Sequence, residues 1–337
     1  MKVFVTGGTG LVGRHVIAAL TARGDTVTAL ARSDAAAAQL TAAGAEPLRG
    51  DLTDSAAIER GVGAADAVVH AAAVVLSRRG WDHYHATNVT ATEAVARAAA
   101  RHGRRLVHLS SVAVYGRKTT YDGGARSVDE SFGVDRPIFP GDHYARSKRE
   151  AELALWRVAG EDGCGLSAAA LRPCVIFGEG DRQFSIRVAR SLRRGLAPIV
   201  GDGSNPLAVV YAGSVAAAVL TALDRPEVTG PFNIANDGVV TQREFVERFA
   251  AGLGLTIHML RIPRAFAWIA AAAADAAMRT VRPSAPMMLF KAAVQFLGNP
   301  NPFVSARAER ELGWRPAVAP ADAVERTGRW FRDLHRS

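Results

Sequence analysis

An apolar, β-branched run near the chain start, Lys2 to Thr6 (KVFVT), leads directly into Gly7-Gly8-Thr9-Gly10-Leu11-Val12-Gly13, and RHVIAALTARG follows with helical spacing up to Gly24. Strand, glycine loop and helix in that order restrict the fold more than any other feature, because a strand feeding a helix finds its next partner beside it and pointing the same way. A parallel sheet is the expectation. In this context the first glycines permit a tight turn and close approach of backbone to a pyrophosphate. Leu11 and Val12 open a helix whose amides and dipole favour an anion, and Gly13 lets helix and strand pack closely. Gly7, Gly10, Leu11, Val12 and Gly13 are therefore candidate dinucleotide contacts.

The tip of the next strand, TVTALARS, decides which dinucleotide is bound. A carboxylate there would hold the ribose hydroxyls of NAD, whereas an arginine accepts the added phosphate of NADP. The tip carries Ala31, Arg32 and Ser33. NADP(H) is thus expected in preference to NAD(H), with Arg32 and Ser33 as phosphate contacts and Arg14 assisting. Asp34 keeps open the competing reading, in which Arg32 is one more surface arginine in an arginine-rich chain. Strands and helices then alternate. Glu46 to Arg49 runs into Gly50, Asp51 and Leu52; Ala65 to His70 into Ala71, Ala72 and Ala73; a long helix spans Trp81 to His102; and Leu106 to Leu109 runs into Ser110 and Ser111. Ligands of such sheets bind outside the carboxyl ends of the strands. Asp51 and Leu52 are expected to meet the adenine, and the three alanines let a cofactor lie against backbone.

In GDHYARSKREAE, Tyr144 precedes Lys148 by four residues, so the two share one helix face. The chain has only four lysines and five tyrosines, which makes the pairing informative. A phenol titrates near ~10, and a close ammonium favours the phenolate by about 1 to 3 pKa units. With the upstream Ser-Ser pair, these are the parts of a proton-donating hydride-transfer site. The histidines have no ligand spacing, so no metal is expected. Cys164 and Cys174 fit neither a zinc site nor a disulfide framework, and no leader segment is read, so a cytoplasmic location is expected. With 337 residues, 49% hydrophobic and 22% charged, the chain can bury a full core. Its net charge of +9 is spread along the sequence, without basic runs interleaved with aromatics, and no nucleic-acid partner is expected. Ala265 to Val281 is apolar, but Asp275 interrupts it and it falls short of the ~20 residues of a membrane span. It is expected to be a buried helix or one in peripheral contact with a membrane.

TGGTGLVG, the GDL after the third strand, HAAA, NVTAT, SSVAVYG, YARSK and LRPCVIFGEGD together resemble the extended short-chain dehydrogenases/reductases. VGDGSNPLAVVYAGSVAAAV, PFNIAND, the apolar 265–281 helix and ERELGWRPAVAPADAVERT are similar to the 3β-hydroxysteroid dehydrogenase-like branch, which includes bacterial 2-alkyl-3-oxoalkanoate reductases. The resemblance implies an α/β fold: a doubly wound parallel (Rossmann) sheet over residues 1–173 and a smaller C-terminal substrate-binding lobe over 174–337, some of whose segments return to the first domain.

The resemblance also implies roles for residues. Tyr144 is the acid/base, Lys148 its electrostatic partner and a contact of the nicotinamide ribose, and Ser111 orients the carbonyl oxygen. Asn88 matches a catalytic asparagine, although Ala91 replaces a glycine of the motif; the plain alternative for Asn88 is a polar residue on a helix surface. Pro173 falls beside the cofactor, and Val175, Phe177 and Tyr115 beside the substrate, with core packing as the alternative for the aromatics. The implied enzyme is an NADP(H)-dependent oxidoreductase interconverting a carbonyl and a secondary alcohol on a hydrophobic β-hydroxy or β-keto substrate of 3β-hydroxysteroid, sterol acid or 2-alkyl-3-oxoalkanoate type, acting as a homodimer. The alternatives are an NAD-retaining nucleotide-sugar epimerase or dehydratase and a non-catalytic dinucleotide-sensing protein.

Overall fold

The structure, a computed structural model, describes residues 1–75, 77, 79–116, 127–235, 238–281 and 289–334. The first six strands are β1 (Lys2–Thr6), β2 (Thr26–Ala31), β3 (Glu46–Arg49), β4 (Ala67–His70), β5 (Arg105–Leu109) and β6 (Ala168–Pro173). Three short strands outside the main sheet follow, β7 (Val175–Phe177), β8 (Ala197–Val200) and β9 (Val209–Tyr211), and then β10 (Gly230–Ile234). The main sheet has the order β10-β6-β5-β4-β1-β2-β3, with every pairing parallel. It is a doubly wound α/β sheet whose strand order reverses between β1 and β4, which opens a crevice at the carboxyl ends of those strands.

The central strands read as unbroken apolar runs because helices cover both faces. Alternate side chains of one strand enter opposite cores. Val3 and Val5 of β1 pack with Ile17 and Leu20 of α1 (Leu11–Ala22), while Phe4 packs with Ile58 and Val62 of the helix Ser55–Gly63. That helix is α3, and α2 (Asp34–Ala42) precedes it.

The helix expected over Trp81 to His102 is divided. It starts as α4 (Trp81–Tyr84), widens into a π-helical segment over His85–Thr90 and continues as α5 (Ala91–Arg101). A π-turn inserts a residue into the helical register, and Asn88 inside it is 2% exposed rather than on the helix surface.

Beyond β6 the chain builds a second core. Phe177, Tyr211, Phe245, Phe249 and Phe331 cluster there, drawn from β7, β9, α9 (Gln242–Leu253) and α12 (Pro320–Asp333). α6 (His143–Ala159) precedes β6, and between the elements of the second core lie α7 (Ser185–Arg193), α8 (Ala212–Asp224), β11 (Met259–Ile262), which pairs with β8, α10 (Arg264–Val281) and α11 (Leu289–Gly298). The second half of the chain also returns to the main sheet. β10 pairs with β6, and α8 lays Val215 and Val219 into the same core as α1.

Candidate active site

The glycine loop forms a cradle that side chains would fill. Gly7 has φ +77°, and a Cβ on it would lie 2.6 Å from the backbone nitrogen of Ala72. A Cβ on Gly13 would lie 2.1 Å from the Gly7 carbonyl oxygen. Gly13 therefore packs the helix onto the loop itself, closer in than the helix-on-strand contact expected of it. At the head of α1, Gly10 offers no side-chain cap and the first turn holds no acid, so the amides of Leu11 and Val12 face an environment suited to an anion. Ala71 and Ala72 close the other side of the loop, anchored by hydrogen bonds from the Ala71 amide to Thr6 O (3.1 Å) and from the Ala72 amide to Thr6 Oγ1 (3.4 Å). Ala73 continues the half-buried segment. These residues fit a dinucleotide pyrophosphate.

At the carboxyl ends of β2 and β3 lies an open depression of about 520 Å³ lined by Ala31, Arg32, Arg49, Gly50 and Asp51. Arg32 and Arg49 are both exposed there, at the tips of neighbouring strands, and Arg49 meets Asp34 at 3.3 Å. Sequence reading overlooked Arg49, which joins Arg32 only through the pairing of β2 with β3. The Ser33 oxygen accepts from the Ala36 amide at 3.2 Å and so caps α2. Asp51 accepts from the amide and hydroxyl of Thr53, at 3.1 and 3.2 Å; beside it, Leu52 is half-buried.

Asp142 starts α6 by accepting from the Ala145 amide at 3.0 Å. The inward stripe of that helix includes Ala145, Lys148, Ala151, Glu152 and Leu155, and half-buried Tyr144 lies one turn before Lys148. The Lys148 ammonium, 4% exposed, donates to the carbonyl of Leu109 at 2.6 Å. This bond ties the Tyr-Lys helix to the strand end that carries Ser111. Burial lowers the Lys148 pKa to about 8, with Glu152 pulling the other way. Ser111, 8% exposed, caps the 3₁₀ turn Val112–Tyr115 by accepting from the Ala113 amide at 3.2 Å. Asn88 is a clamp: Oδ1 accepts from the Val74 amide at 2.7 Å, and Nδ2 donates to Val74 O at 2.9 Å and to Ser147 Oγ at 2.8 Å. It pins the segment after β4 to α6, an arrangement the π-turn makes possible.

A buried polar network stands behind these groups. Glu152 accepts from Ser110 Oγ at 2.5 Å and from Arg172 Nη2 at 2.5 Å. Arg172 Nη1 donates to the Tyr115 hydroxyl at 2.7 Å, which donates in turn to Asn233 Oδ1 at 2.9 Å. Tyr115 is thus fully buried in the core, where desolvation raises its pKa to about 12. This corrects its assignment to the substrate. Phe177 is likewise fully buried, against Tyr211 and Phe245, whereas Val175, paired with Val209, is half-buried at the edge of the lobe core. The apolar surface of Phe177 is spent on packing. Pro173 ends β6 opposite Ile234.

Two histidines lie deeper still. His70 and His108 are register partners on β4 and β5, stacked at 5.3 Å. His70 shares hydrogen bonds with Thr6 Oγ1 (2.7 Å) and Thr92 Oγ1 (3.0 Å), whereas neither ring nitrogen of His108 finds a partner among the described residues. Burial and then the Lys148 charge lower the His70 pKa to about 3 and hold that of His108 well below 6.5. Both rings are neutral beside the ammonium. Among the described residues no cluster of three His, Cys, Asp or Glu side chains could hold a metal, and no helix is long and apolar enough to cross a membrane.

Residues 3–235 match the profile of the NAD dependent epimerase/dehydratase family. Over 329 residues the chain is 31% identical to 4-hydroxy-2-methyl-3-oxo-4-farnesyl-3,4-dihydroquinoline-1-oxide ketoreductase of Stigmatella aurantiaca, covering 96% of this chain and 95% of the relative. It is 30% identical to the 2-alkyl-3-oxoalkanoate reductase of Stenotrophomonas maltophilia (strain K279a), covering 97% and 98%. Among solved structures, UDP-N-acetylglucosamine 4-epimerase from Bacillus cereus superposes with a TM-score of 0.73 at 21% identity over the whole of both chains, which bears on the fold alone. The glycine cradle, the Tyr-Lys helix and these matches identify the chain as a member of the NAD dependent epimerase/dehydratase family, an NAD(P)-dependent dehydrogenase/reductase of the extended short-chain type.

Proposed function

We propose that the chain is an NADP(H)-preferring ketoreductase acting on a hydrophobic β-keto or β-hydroxy substrate, with Tyr144, Lys148 and Ser111 at the reacting carbonyl. The observation that carries this reading is the Lys148 bond to Leu109 O, because it brings the acid-base helix and the serine-bearing strand end to one locus. When bound, the nicotinamide supplies hydride chemistry. In the reducing direction the Tyr144 hydroxyl gives its proton to the carbonyl oxygen, and Ser111 donates a hydrogen bond to that oxygen. The Lys148 ammonium stabilises the tyrosinate left behind. Oxidation of the alcohol reverses each role.

Two further features support the details. Arg32 and Arg49 bring two cations to the adenosine end, as a ribose phosphate requires. The relatives named above reduce, by their names, a farnesylated quinoline oxide and 2-alkyl-3-oxoalkanoates, and a bulky lipophilic ketone is proposed here by extension. The test follows nicotinamide absorbance with NADPH and NADH against a panel of bulky ketones, in the native enzyme and in Tyr144→Phe. Faster turnover with NADH overturns the cofactor preference. NAD that co-purifies with the protein, with reaction of nucleotide sugars alone, replaces the proposal by the epimerase reading.

A further inference from the structure

His70 closes β4, next in the chain to the alanines that wall the glycine cradle, and its buried ring has a threonine hydroxyl at each nitrogen. Counting protons fixes the direction of every bond around it. Thr92 has one hydroxyl proton and gives it to the Asn88 carbonyl at 2.6 Å, so its oxygen can only accept from His70 Nε2, 3.0 Å away. A neutral imidazole then has its lone pair on Nδ1. Thr6 Oγ1 donates to that lone pair at 2.7 Å and accepts from the Ala72 amide at 3.4 Å. The series continues past Asn88: its Nδ2 donates to Ser147 Oγ at 2.8 Å, and the Ser147 hydroxyl donates to the Tyr144 carbonyl at 2.9 Å. Thr6, His70, Asn88, Thr92 and Ser147 are all buried. One run of hydrogen bonds thus joins the Ala72 amide, which lies against Gly7, to the backbone of Tyr144.

We propose that His70 is a positioning residue: locked as its Nε2–H tautomer, it sets the wall of the dinucleotide cradle against the helix that carries Tyr144 and Lys148. The lock has one direction. In the other tautomer Nδ1 carries the proton, so Thr6 loses its acceptor, and Thr92 must take its own proton from Asn88 O to meet the Nε2 lone pair. Both sides of the site then slacken. Ala72 abuts Gly7 so closely that a Cβ there would lie 2.6 Å from its nitrogen, and Asn88 pins the segment after β4 to α6. Burial, and then the Lys148 charge, supports the neutral ring that the counting requires. A ring kept only to fill space needs neither hydroxyl. The inference rests on the assignment of the cradle to the cofactor and is independent of which carbonyl is reduced.

The test reads the ring first and the cradle second. Nitrogen NMR of the full chain, isotope-labelled in the histidine rings, reports all nine imidazoles. The His70 signals are those missing from His70→Gln or, where that variant does not fold, those displaced in Thr92→Ser. A neutral ring protonated at Nε2 is expected at neutral pH; a proton on Nδ1, or on both nitrogens, overturns the proposal. Equilibrium binding of NADPH, with NADH in parallel, is then compared in wild type, Thr92→Val and Thr92→Ser. Thr92 is bonded to His70 and Asn88 rather than to the cradle, so a change in affinity travels through the ring. Valine keeps the shape without the hydroxyl and is expected to weaken binding about five-fold or more, whereas serine keeps the hydroxyl and should stay within about two-fold. A Thr92→Val protein that melts earlier but binds as the wild type does shows a hydroxyl that serves stability alone, and the proposal is wrong. Equal losses in valine and serine variants overturn it too. Should Thr92→Val not fold, the ring signals decide alone. A wild type that binds neither dinucleotide overturns the cradle assignment, and this inference with it.

Discussion

Replacing Lys148 by methionine should remove activity and stabilise the fold, and the stabilisation should depend on pH in a fixed direction. The ammonium is held at about 8, against 10.5 for a free lysine, chiefly by burial. At 1.36 kcal/mol for each pKa unit, keeping it charged in the folded state costs ~3 kcal/mol. Between pH 8 and 10.5 the unfolded chain binds the extra proton, so wild-type stability rises with pH across that window, and the cost is fully present below it. Methionine cannot titrate. At pH 7 it escapes the whole cost but leaves the Leu109 carbonyl without its donor, a loss of ~1 to 3 kcal/mol, so a net gain of ~0 to 2 kcal/mol is expected.

With an unfolding entropy of ~2.1 cal/mol/K per residue, ~3 kcal/mol corresponds to ~4 °C for a chain of this length. The assay is thermal unfolding of both proteins, free of cofactor, from pH 7 to 10. Taking the difference between variant and wild type cancels groups common to both. The advantage of the variant should shrink by ~4 °C from pH 7.5 to 10. A difference that stays flat would refute the claim that the Lys148 ammonium is held against its own desolvation.

Tyr144→Phe is expected to lower turnover by ~10²-fold or more without changing the melting temperature or cofactor affinity, as equilibrium binding can check. Arg32→Ala with Arg49→Ala should raise the KM for NADPH by about ten-fold or more and leave that for NADH within two-fold; equal losses for both cofactors would contradict the phosphate role. Glu152→Gln breaks a buried ion pair with Arg172 and should cost ~3 kcal/mol in denaturant unfolding, part of it regained in the Arg172→Met double variant. Because Glu152 favours the Lys148 ammonium, the alkaline limb of the rate profile should also move to lower pH. His108→Leu removes a buried ring with two unsatisfied nitrogens and should stabilise the fold by ~1 kcal/mol; a loss instead would show that an ordered partner meets the imidazole.

What could be read in the sequence was what neighbours in the chain decide. The glycine loop lies between its own strand and helix, and Tyr144 and Lys148 share one helix, so spacing alone carried their geometry. Glu152 was within the same reach, four residues past Lys148, but its meaning rests on Arg172, which comes from another strand. Tyr115 and Phe177 were assigned to the substrate because an aromatic beside a loop gives no sign of its neighbours. The Tyr115 hydroxyl is satisfied by Arg172 and Asn233, 57 and 118 residues away, and no local pattern encodes that. His70 and His108 meet only because β4 and β5 pair in register. Asn88 faces inward because a π-turn interrupts a helix that reads as continuous in sequence.

The return of β10 to the main sheet has a consequence for synthesis. Until residue 234 has left the ribosome, β6 is an edge strand presenting unpaired amides and carbonyls along Ala168–Pro173, a template for pairing with another nascent chain. Ala168 to Leu171 are apolar side chains buried in the finished protein. The first 173 residues, which contain the whole glycine cradle and the Tyr-Lys helix, are therefore poorly suited to be released alone. Truncation after β6 should give an aggregating fragment, while truncation after β10 leaves the edge protected. The order of the strands thus sets a minimum length of chain that must emerge before the half carrying the glycine cradle is safe from its neighbours.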